Sequence, residues 1–420
     1  MDMGVSLLDR VDALGDLVRT EADTIERERR ISEDLVAALR ATGLNRSMMP
    51  TSLGGDDLPV LEVIEAIEHV AAMDGSTGWC AAIGAGSNLF SGYLAPAVAK
   101  EIWSDPDQGN ASMFGPFGQV RPAGDGFALS GRWPFSSNCL HSEHIGLGSL
   151  WFTQGDDPEP IPRLVFVSMA DVEVDPTWTS PGLCGTGSHH TVLADLPVDR
   201  DRSLTFVDQA FADGPLWRMP LFTILGPALG ITPLGMARGA VDDVRALIAG
   251  HTGSTRGPIA DDPIALADFA MADTRLQAAR GALTDAVGTA WSAVERGDPV
   301  TKPMQARVML AVGYGADVAV EVASTCHRLG GGAAAYAGSS LLRRLRDVET
   351  ARQHAMFGHG SRPLLARALA GEDVFAPPSS CSGQALARLT PAAVVSRWTG
   401  RPTHSSASSA VRRSASSTRV

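Results

Sequence analysis

Cysteine and tyrosine are both scarce in this sequence, which has 5 cysteines and 3 tyrosines among 420 residues. The cysteines are scattered and odd in number, and no two of them form a C-x-x-C pair. This spacing excludes a disulfide framework and a zinc ribbon. His141, Glu143 and His144, with His189 and His190, offer H-x-x-H spacing but no defined third ligand, so we expect no metal site.

Positive charge is also limited. The formal net charge is -12, and no basic patch with interleaved aromatics occurs, so neither nucleic acid nor an anionic membrane is expected as a partner. The start, MDMGVSLLDRVDALGDL, lacks the basic region and apolar run of a signal peptide, which favours a cytoplasmic protein. Residues 219–237 carry no charge, but their prolines and glycines favour a buried helix after a proline-broken lead-in.

The hydrophobic period changes twice along the chain. Residues 1–112 show helical periodicity, with Ser32 as a candidate N-cap and Gly43 as a candidate stop. Residues 113–210 contain short β-branched and aromatic segments separated by turn signals, which predict a small antiparallel sheet or barrel. Residues 211–371 predict a bundle with helices at 229–250, 261–296, 303–329 and 339–370, and the Ser-rich segment 372–420 is predicted to be disordered.

The segment LSGRWPFSSNC, residues 129–139, places two aromatic side chains beside two serines and an asparagine. A flat apolar wall next to hydroxyls suits a flat ligand with polar edges. It equally suits an ordinary strand edge, in which Trp133 and Phe135 are core and the serines cap a turn. This segment alone does not decide between the two.

The order of helices, strands and long helices resembles the acyl-CoA dehydrogenase fold, an α+β fold with an N-terminal helical domain, a central antiparallel β domain and a C-terminal four-helix bundle. Within it, the chain resembles the flavin-dependent monooxygenase branch, the oxygenase components of two-component p-hydroxyphenylacetate and steroid-phenol hydroxylases. Four stretches carry the resemblance: LVAALRATGLNRSMMPTSLGG (35–55), SGRWPFSSN (130–138), GLCGTGSHHTVLADLPV (182–198) and LGGGAAAYAGSSLLRRLRDVETARQHA (329–355).

This resemblance implies a flavin site. Ser137 matches the serine near the reactive N5 edge of the flavin, and a hydroxyl there can hydrogen-bond N5. Trp133, Phe135 and Ser136 would complete a dry wall that excludes water. The following residues are also implied: Phe114 and Gly115 along the flavin edge, and Ser112 in contact with the substrate.

His354 is the candidate acid-base group, because the resemblance places a histidine here near the flavin or the substrate. A histidine can change its charge near neutral pH. Helical spacing predicts that Asp347 and His354 share one face, about 10 Å apart. The competing interpretation is a structural histidine in an arginine-rich helix.

The chain departs from the branch at three places. Phenol hydroxylases of the branch carry a further histidine in the stretch that here reads AIGAGSNLFSG, where Gly86, Ser87 or Asn88 would occupy the place. A phenol substrate is therefore in doubt. Cys184 replaces the usual arginine of the G-L-R-G-T-G-S motif, and Asn138 replaces the usual glycine.

Three functions remain open from the sequence. The resemblance favours a flavin-dependent monooxygenase that uses O2 and reduced FMN or FAD from a separate flavin reductase to hydroxylate a small molecule. An acyl-CoA dehydrogenase with bound FAD would need a carboxylate base, and residues 215–238 contain none. The third is a non-catalytic paralogue. The family implies a homotetramer.

Overall fold

The computed structural model describes residues 5–153, 160–254 and 257–372. The predicted disordered tail lies, apart from Glu372, outside the described residues. The change from helix to strand falls between Ile102 and Asn110, and the return to helix between Leu204 and Pro215.

The N-terminal region is helical. Ser32 caps a helix as predicted, since its Oγ accepts a hydrogen bond from the Leu35 N–H at 3.1 Å. Gly43, with φ +78°, follows the end of the same helix. The helices are α1 (Leu7–Asp12), α2 (Gly15–Glu28), α3 (Glu33–Ala41), α4 (Val60–Met73), α5 (Gly75–Asn88) and α6 (Pro96–Ile102).

A seven-stranded sheet follows, in the order β5-β6-β2-β1-β3-β4-β7. Its strands are β1 (Asn110–Ala123), β2 (Gly126–Trp133), β3 (His144–Trp151), β4 (Ile161–Ser168), β5 (Glu173–Asp175), β6 (His190–Val198) and β7 (Ser203–Leu204). Two details differ from the expectation of an antiparallel sheet or barrel. The connection after β2 leads back to the far side of β1, so β1 and β3 pair in parallel. Among the described strands, the short β5 and β7 remain edges, so the sheet is open.

A bulge interrupts the β1–β3 pairing between Met113 and Gly118. The carbonyl oxygens of Phe114 and Gly115 crowd Gly148, where a Cβ would lie 2.3 Å from the Phe114 oxygen. Only glycine fits this close approach. The bulge re-aims the side chains of β1 on the side facing the helices.

The C-terminal region is built on long helices. After α7 (Pro215–Arg218), they are α8 (Phe222–Ala249), α9 (Pro263–Glu295), α10 (Lys302–Leu329) and α11 (Ser340–Arg352), with a short hairpin of β8 (Gly253–Ser254) and β9 (Gly257–Pro258) before α9. The helix α8 begins earlier than the predicted 229 and contains Pro227 and Pro233. The Thr232 hydroxyl donates to the Leu229 carbonyl, which Pro233 cannot reach because it has no N–H.

The last predicted helix, 339–370, is broken in the structure. The helix α11 ends at Arg352, and α12 (Arg362–Leu369) starts only after a connection that contains Gly358 and Gly360, with Pro363 in the first turn of the new helix. The Arg352 guanidinium donates to the Phe357 carbonyl and closes this turn. The prediction that His354 shares a helical face with Asp347 is therefore wrong.

By length and composition, α8 and α10 could each cross a membrane, and the apolar windows of both are mostly buried inside the protein, 94% for α8 and 61% for α10. Buried apolar helices of this kind also form the core of a bundle. The helix α5 packs against α4, α8 and β1, so it lies between the sheet and the bundle.

Candidate active site

The Trp133 side chain belongs to the core of the sheet. It has no exposed surface and packs across Gly118 and Gly131, where a Cβ would lie 2.2 and 2.7 Å from the indole. Its Nε1 donates to the Gly148 carbonyl at 2.7 Å. This corrects the expectation that Trp133 lines a cleft, because the two glycines open a space under the sheet that the indole fills.

Ser136 and Ser137 are neighbours that face different environments. Ser136 is fully buried, and its Oγ lies 2.9 Å from Thr191 Oγ1 within the sheet, which corrects its assignment to a ligand-binding wall. Ser137 keeps 9% of its surface exposed. Its Oγ accepts a hydrogen bond from Trp79 Nε1 at 3.2 Å and lies 2.7 Å from Ser188 Oγ.

The backbone angles explain why the side chains of residues 133–138 do not alternate regularly between two faces, as they would on a strand. Phe135 and Asn138 both adopt positive φ angles, 61° and 66°. Asn138 stands where the resembling family has glycine, and asparagine is the residue that best tolerates this conformation after glycine. Phe135 is turned outward, 62% exposed, and its ring contacts the Trp178 ring edge-on with centroids 6.3 Å apart.

The loop before β6, which contains Ser188, contacts Ser137 on its buried side. Leu183, also at positive φ, donates its N–H to Asp347 Oδ1 of α11 at 2.6 Å. Burial and the nearby Asp74 raise the pKa of Asp347 to about 7. Ser188 of this loop is buried and lies in contact with Ser137.

Trp79 of α5 connects the sheet side of the site to the bundle side. Besides donating to Ser137, its indole meets the His354 ring edge-on at 5.5 Å and the Phe357 ring at 6.4 Å. Sequence reasoning missed this residue. The available signal was one large aromatic within a helix of small residues, GSTGWCAAIGAGSN.

His354 lies deep in the protein and yet is reachable by solvent. Its side chain is exposed, while burial by the surrounding protein lowers its pKa to about 4. A group that is both densely surrounded and accessible lies in a cleft. The Met356 N–H donates to its Nδ1 at 3.2 Å, so the neutral ring carries its proton on Nε2, and no described residue hydrogen-bonds that atom.

Ser112 lies on β1 beside α5. Its Oγ is 2.5 Å from the Oγ of Ser87, which is buried on α5 in the stretch where the resembling phenol hydroxylases have a histidine. A hydroxyl pair therefore occupies this part of the interface.

Phe114 and Gly115 lie in the bulge of β1. The half-buried Phe114 ring contacts Phe90 at 5.7 Å and Phe206 at 5.4 Å, and Phe206 contacts Phe222 of α8 at 5.9 Å. This aromatic row leads from the sheet to the bundle. Within the described ranges, no group of three or more His, Cys, Asp or Glu residues is arranged to hold a metal ion.

Comparison with known proteins identifies the family. A family model described as the C-terminal domain of acyl-CoA dehydrogenase matches residues 228–359. The indole-3-acetate monooxygenase of Pseudomonas putida is 31% identical over 350 residues, which cover 83% of this chain and 90% of the relative. The flavin-dependent monooxygenase oxygenase subunit HsaA of Rhodococcus jostii is 28% identical, over 83% of this chain and 94% of its own.

Solved structures agree on the fold. The crystal structure of 3-HSA hydroxylase from Rhodococcus sp. RHA1 superposes with a TM-score of 0.83 and 25% identity, covering 88% of this chain and 99% of that one. These relatives are oxygenases, which favours the first of the three functions left open by the sequence. The chain belongs to the flavin-dependent monooxygenases of the acyl-CoA dehydrogenase fold and is an oxygenase component that uses reduced flavin and O2 to hydroxylate a small organic substrate.

Proposed function

We propose that flavin and substrate meet in the cleft bounded by Ser137, Trp79 and His354, between the sheet and the bundle. The observation that carries this proposal is the position of Trp79, whose indole contacts both other residues. Interdomain clefts with a few polar groups among aromatic side chains are common ligand sites.

The side chains around this cleft fit a flat aromatic cofactor. Phe135 and Trp178 offer ring surface at the rim, and Ser137 offers a hydroxyl oxygen beside it. Bound there, reduced flavin supplies the two electrons that split O2, so that one oxygen atom enters a C–H bond of the substrate and the other leaves as water. Ser137 orients the ring edge, and the aromatic rings exclude water.

His354 serves this reaction as a neutral imidazole. With its pKa at about 4, it remains uncharged at physiological pH. Its Nε2–H is therefore a hydrogen-bond donor toward the cleft, and its contacts with Trp79 and Phe357 are apolar. Such a group holds a proton at a fixed atom without bringing a charge into the cleft.

The substrate proposed for this site is a flat aromatic or heteroaromatic molecule with a neutral polar group. Ser112 and Ser87 offer hydroxyls to that group, and no histidine takes the place that phenol hydroxylases of the branch give to one. A serine hydroxyl can accept a hydrogen bond from a neutral N–H, but it is no base that could take the proton of a phenol O–H, as a histidine can. The name of the Pseudomonas relative, with its indole-3-acetate substrate, supports this class.

As an oxygenase component, the protein receives reduced flavin from a separate flavin reductase. We further propose a homotetramer in the cytoplasm. Exposed apolar side chains on α9 and α10, including Ile264, Met271 and Tyr314, support association of copies through the bundle.

The test combines reduced flavin, oxygen and candidate aromatics. Purified protein is mixed with chemically reduced FMN or FAD, and then with O2 and indole-type or phenolic substrates, while product and hydrogen peroxide are quantified. We expect hydroxylated product from the indole-type compounds and mainly peroxide from phenols. Equal coupling with phenols would contradict the proposed role of the Ser87–Ser112 pair.

A further inference from the structure

Three buried hydroxyl groups form a continuous series beneath the cleft. Ser137 Oγ lies 2.7 Å from Ser188 Oγ, which lies 2.7 Å from Thr186 Oγ1, which lies 2.9 Å from the Leu183 carbonyl oxygen. Thr186 has no exposed surface and Ser188 has 4%. The series therefore runs from the cleft into the protein and ends on a carbonyl.

The number of hydroxyl protons decides which group donates and which accepts in each contact of this series. It contains three oxygen–oxygen contacts and three hydroxyl protons, and the carbonyl at its end can only accept. Every contact holds a proton only if Thr186 donates to Leu183, Ser188 donates to Thr186, and Ser137 donates to Ser188. Any other arrangement leaves two oxygen atoms within hydrogen-bond distance with no proton between them.

Trp79 strengthens the same assignment from the other side. An indole N–H is a donor only, and it points at Ser137 Oγ at 3.2 Å. The Ser137 oxygen thus donates its only proton inward and accepts one hydrogen bond from Trp79. It retains a single lone pair, and its 9% exposed surface is the side from which a ligand can use it.

We propose that Thr186 and Ser188 are positioning residues that hold the Ser137 hydroxyl as a hydrogen-bond acceptor toward the flavin. The proposal rests on the flavin position given above. Reduced flavin carries a hydrogen on N5 and can donate to Ser137, whereas oxidised flavin presents a bare nitrogen that needs a donor. The hydroxyl series therefore favours the reduced ring over the oxidised ring.

The test measures binding of both redox states. Dissociation constants for oxidised flavin and, under anaerobic conditions, for reduced flavin are determined for the unaltered protein and for Thr186→Val and Ser188→Ala. Ser188→Ala removes the acceptor of the Ser137 proton, which can then turn toward the ligand. Thr186→Val removes the acceptor of the Ser188 proton, so Ser188 can donate to Ser137 instead and release the Ser137 proton toward the ligand. We expect the ratio of the oxidised to the reduced dissociation constant to fall about 3- to 10-fold in both, the value of one hydrogen bond.

Thr186→Ser is the matched control, because it retains the hydroxyl and should keep the unaltered ratio. Ser137→Ala distinguishes the two levels of the proposal. If Ser137→Ala changes flavin binding while Thr186→Val and Ser188→Ala leave the ratio within twofold of the unaltered protein, the positioning role is refuted and the flavin position stands. If Ser137→Ala changes neither dissociation constant, the flavin position itself is refuted.

Discussion

The two sides of the cleft are built from different interactions. On the sheet side, Ser137 lies in a series of hydrogen bonds with Ser188 and Thr186, all buried and at short distances. On the bundle side, His354 is held by ring contacts and one backbone N–H. The sheet side can fix the direction of a hydrogen bond, while the bundle side offers an uncharged donor at the cleft.

The largest expected effect is the loss of product formation when His354, on the bundle side, is replaced. In His354→Ala, the Nε2–H donor is lost, so product formation should fall by about 10²–10⁴-fold while peroxide release rises and flavin binding changes little. The yields of product and of peroxide per reduced flavin consumed measure this change. His354→Gln, which keeps an N–H donor, should recover part of the coupling, and His251→Ala at an exposed site should have no effect. Unchanged coupling in His354→Ala would remove this residue from the mechanism.

The free energy of unfolding is expected to depend on pH through Asp347, which accepts a hydrogen bond from the loop before β6. The pKa of Asp347 is raised from 3.8 to about 7, so its contribution to stability is present below the lower value and is lost as pH rises through the higher one. Asp347→Asn keeps an acceptor for the Leu183 N–H without the ionisation. The free energy of unfolding of the unaltered protein should therefore fall by a few kcal/mol relative to the variant between these pH values.

Chemical denaturation at pH 4.5, 6 and 8 measures this difference. Glu349→Gln, an exposed change on the same helix, is the control and should leave the pH profile unaltered. Parallel profiles for Asp347→Asn and the unaltered protein would show that the carboxyl does not titrate in this range.

Two adjacent serines, both buried in hydrogen bonds, are expected to differ in their effect on flavin binding. Ser136→Ala leaves a partner of Thr191 unsatisfied inside the sheet, which should cost about 1–3 kcal/mol of unfolding free energy with flavin affinity unchanged. Ser137→Ala leaves the Trp79 N–H and the Ser188 hydroxyl without this partner, so it should keep the fold at a similar cost in stability, but it should also weaken the binding of reduced flavin and raise peroxide release. Thermal melts and flavin titrations of both variants provide the comparison, and a reversed pattern would mean that Ser136 faces the ligand.

The smallest expected effect is an absence of pH dependence. Because the pKa of His354 is about 4, the ring stays neutral at higher pH, and the ratio of product to peroxide should be constant from about pH 8 to about pH 5.5. It should fall only as the pH approaches the pKa. The measurement is best made in Asp347→Asn, which removes the titration of Asp347. A break near pH 6.5 would indicate an ordinary, solvated histidine.

Sequence patterns predicted the periodic parts of the fold and failed where the backbone is irregular. The cap at Ser32 and the long bundle helices follow from local spacing, and the structure contains them. Trp133 and Phe135 show where prediction from sequence patterns fails. Two residues apart on a regular strand they would share a face, but the positive φ at Phe135 turns one ring outward while the other stays in the core.

The same reasoning applies to the bundle side of the site. Periodicity carried the helical pattern past Arg352, although the chain turns there and presents His354 from a connection. Trp79 could not be assigned from spacing at all, because its importance comes from a contact across more than 50 residues of sequence to Ser137. Long-range partners of this kind are invisible to local patterns.

The conformation of Phe135 predicts that substitutions which raise thermal stability will lower activity. A bulky residue at φ +61° stores backbone strain of about 1–3 kcal/mol, and its exposed ring gains little from packing in return. Phe135→Gly or Phe135→Asn should therefore raise the melting temperature. A search for heat-resistant variants will select such changes, and each of them removes a ring from the wall proposed to bind the flavin.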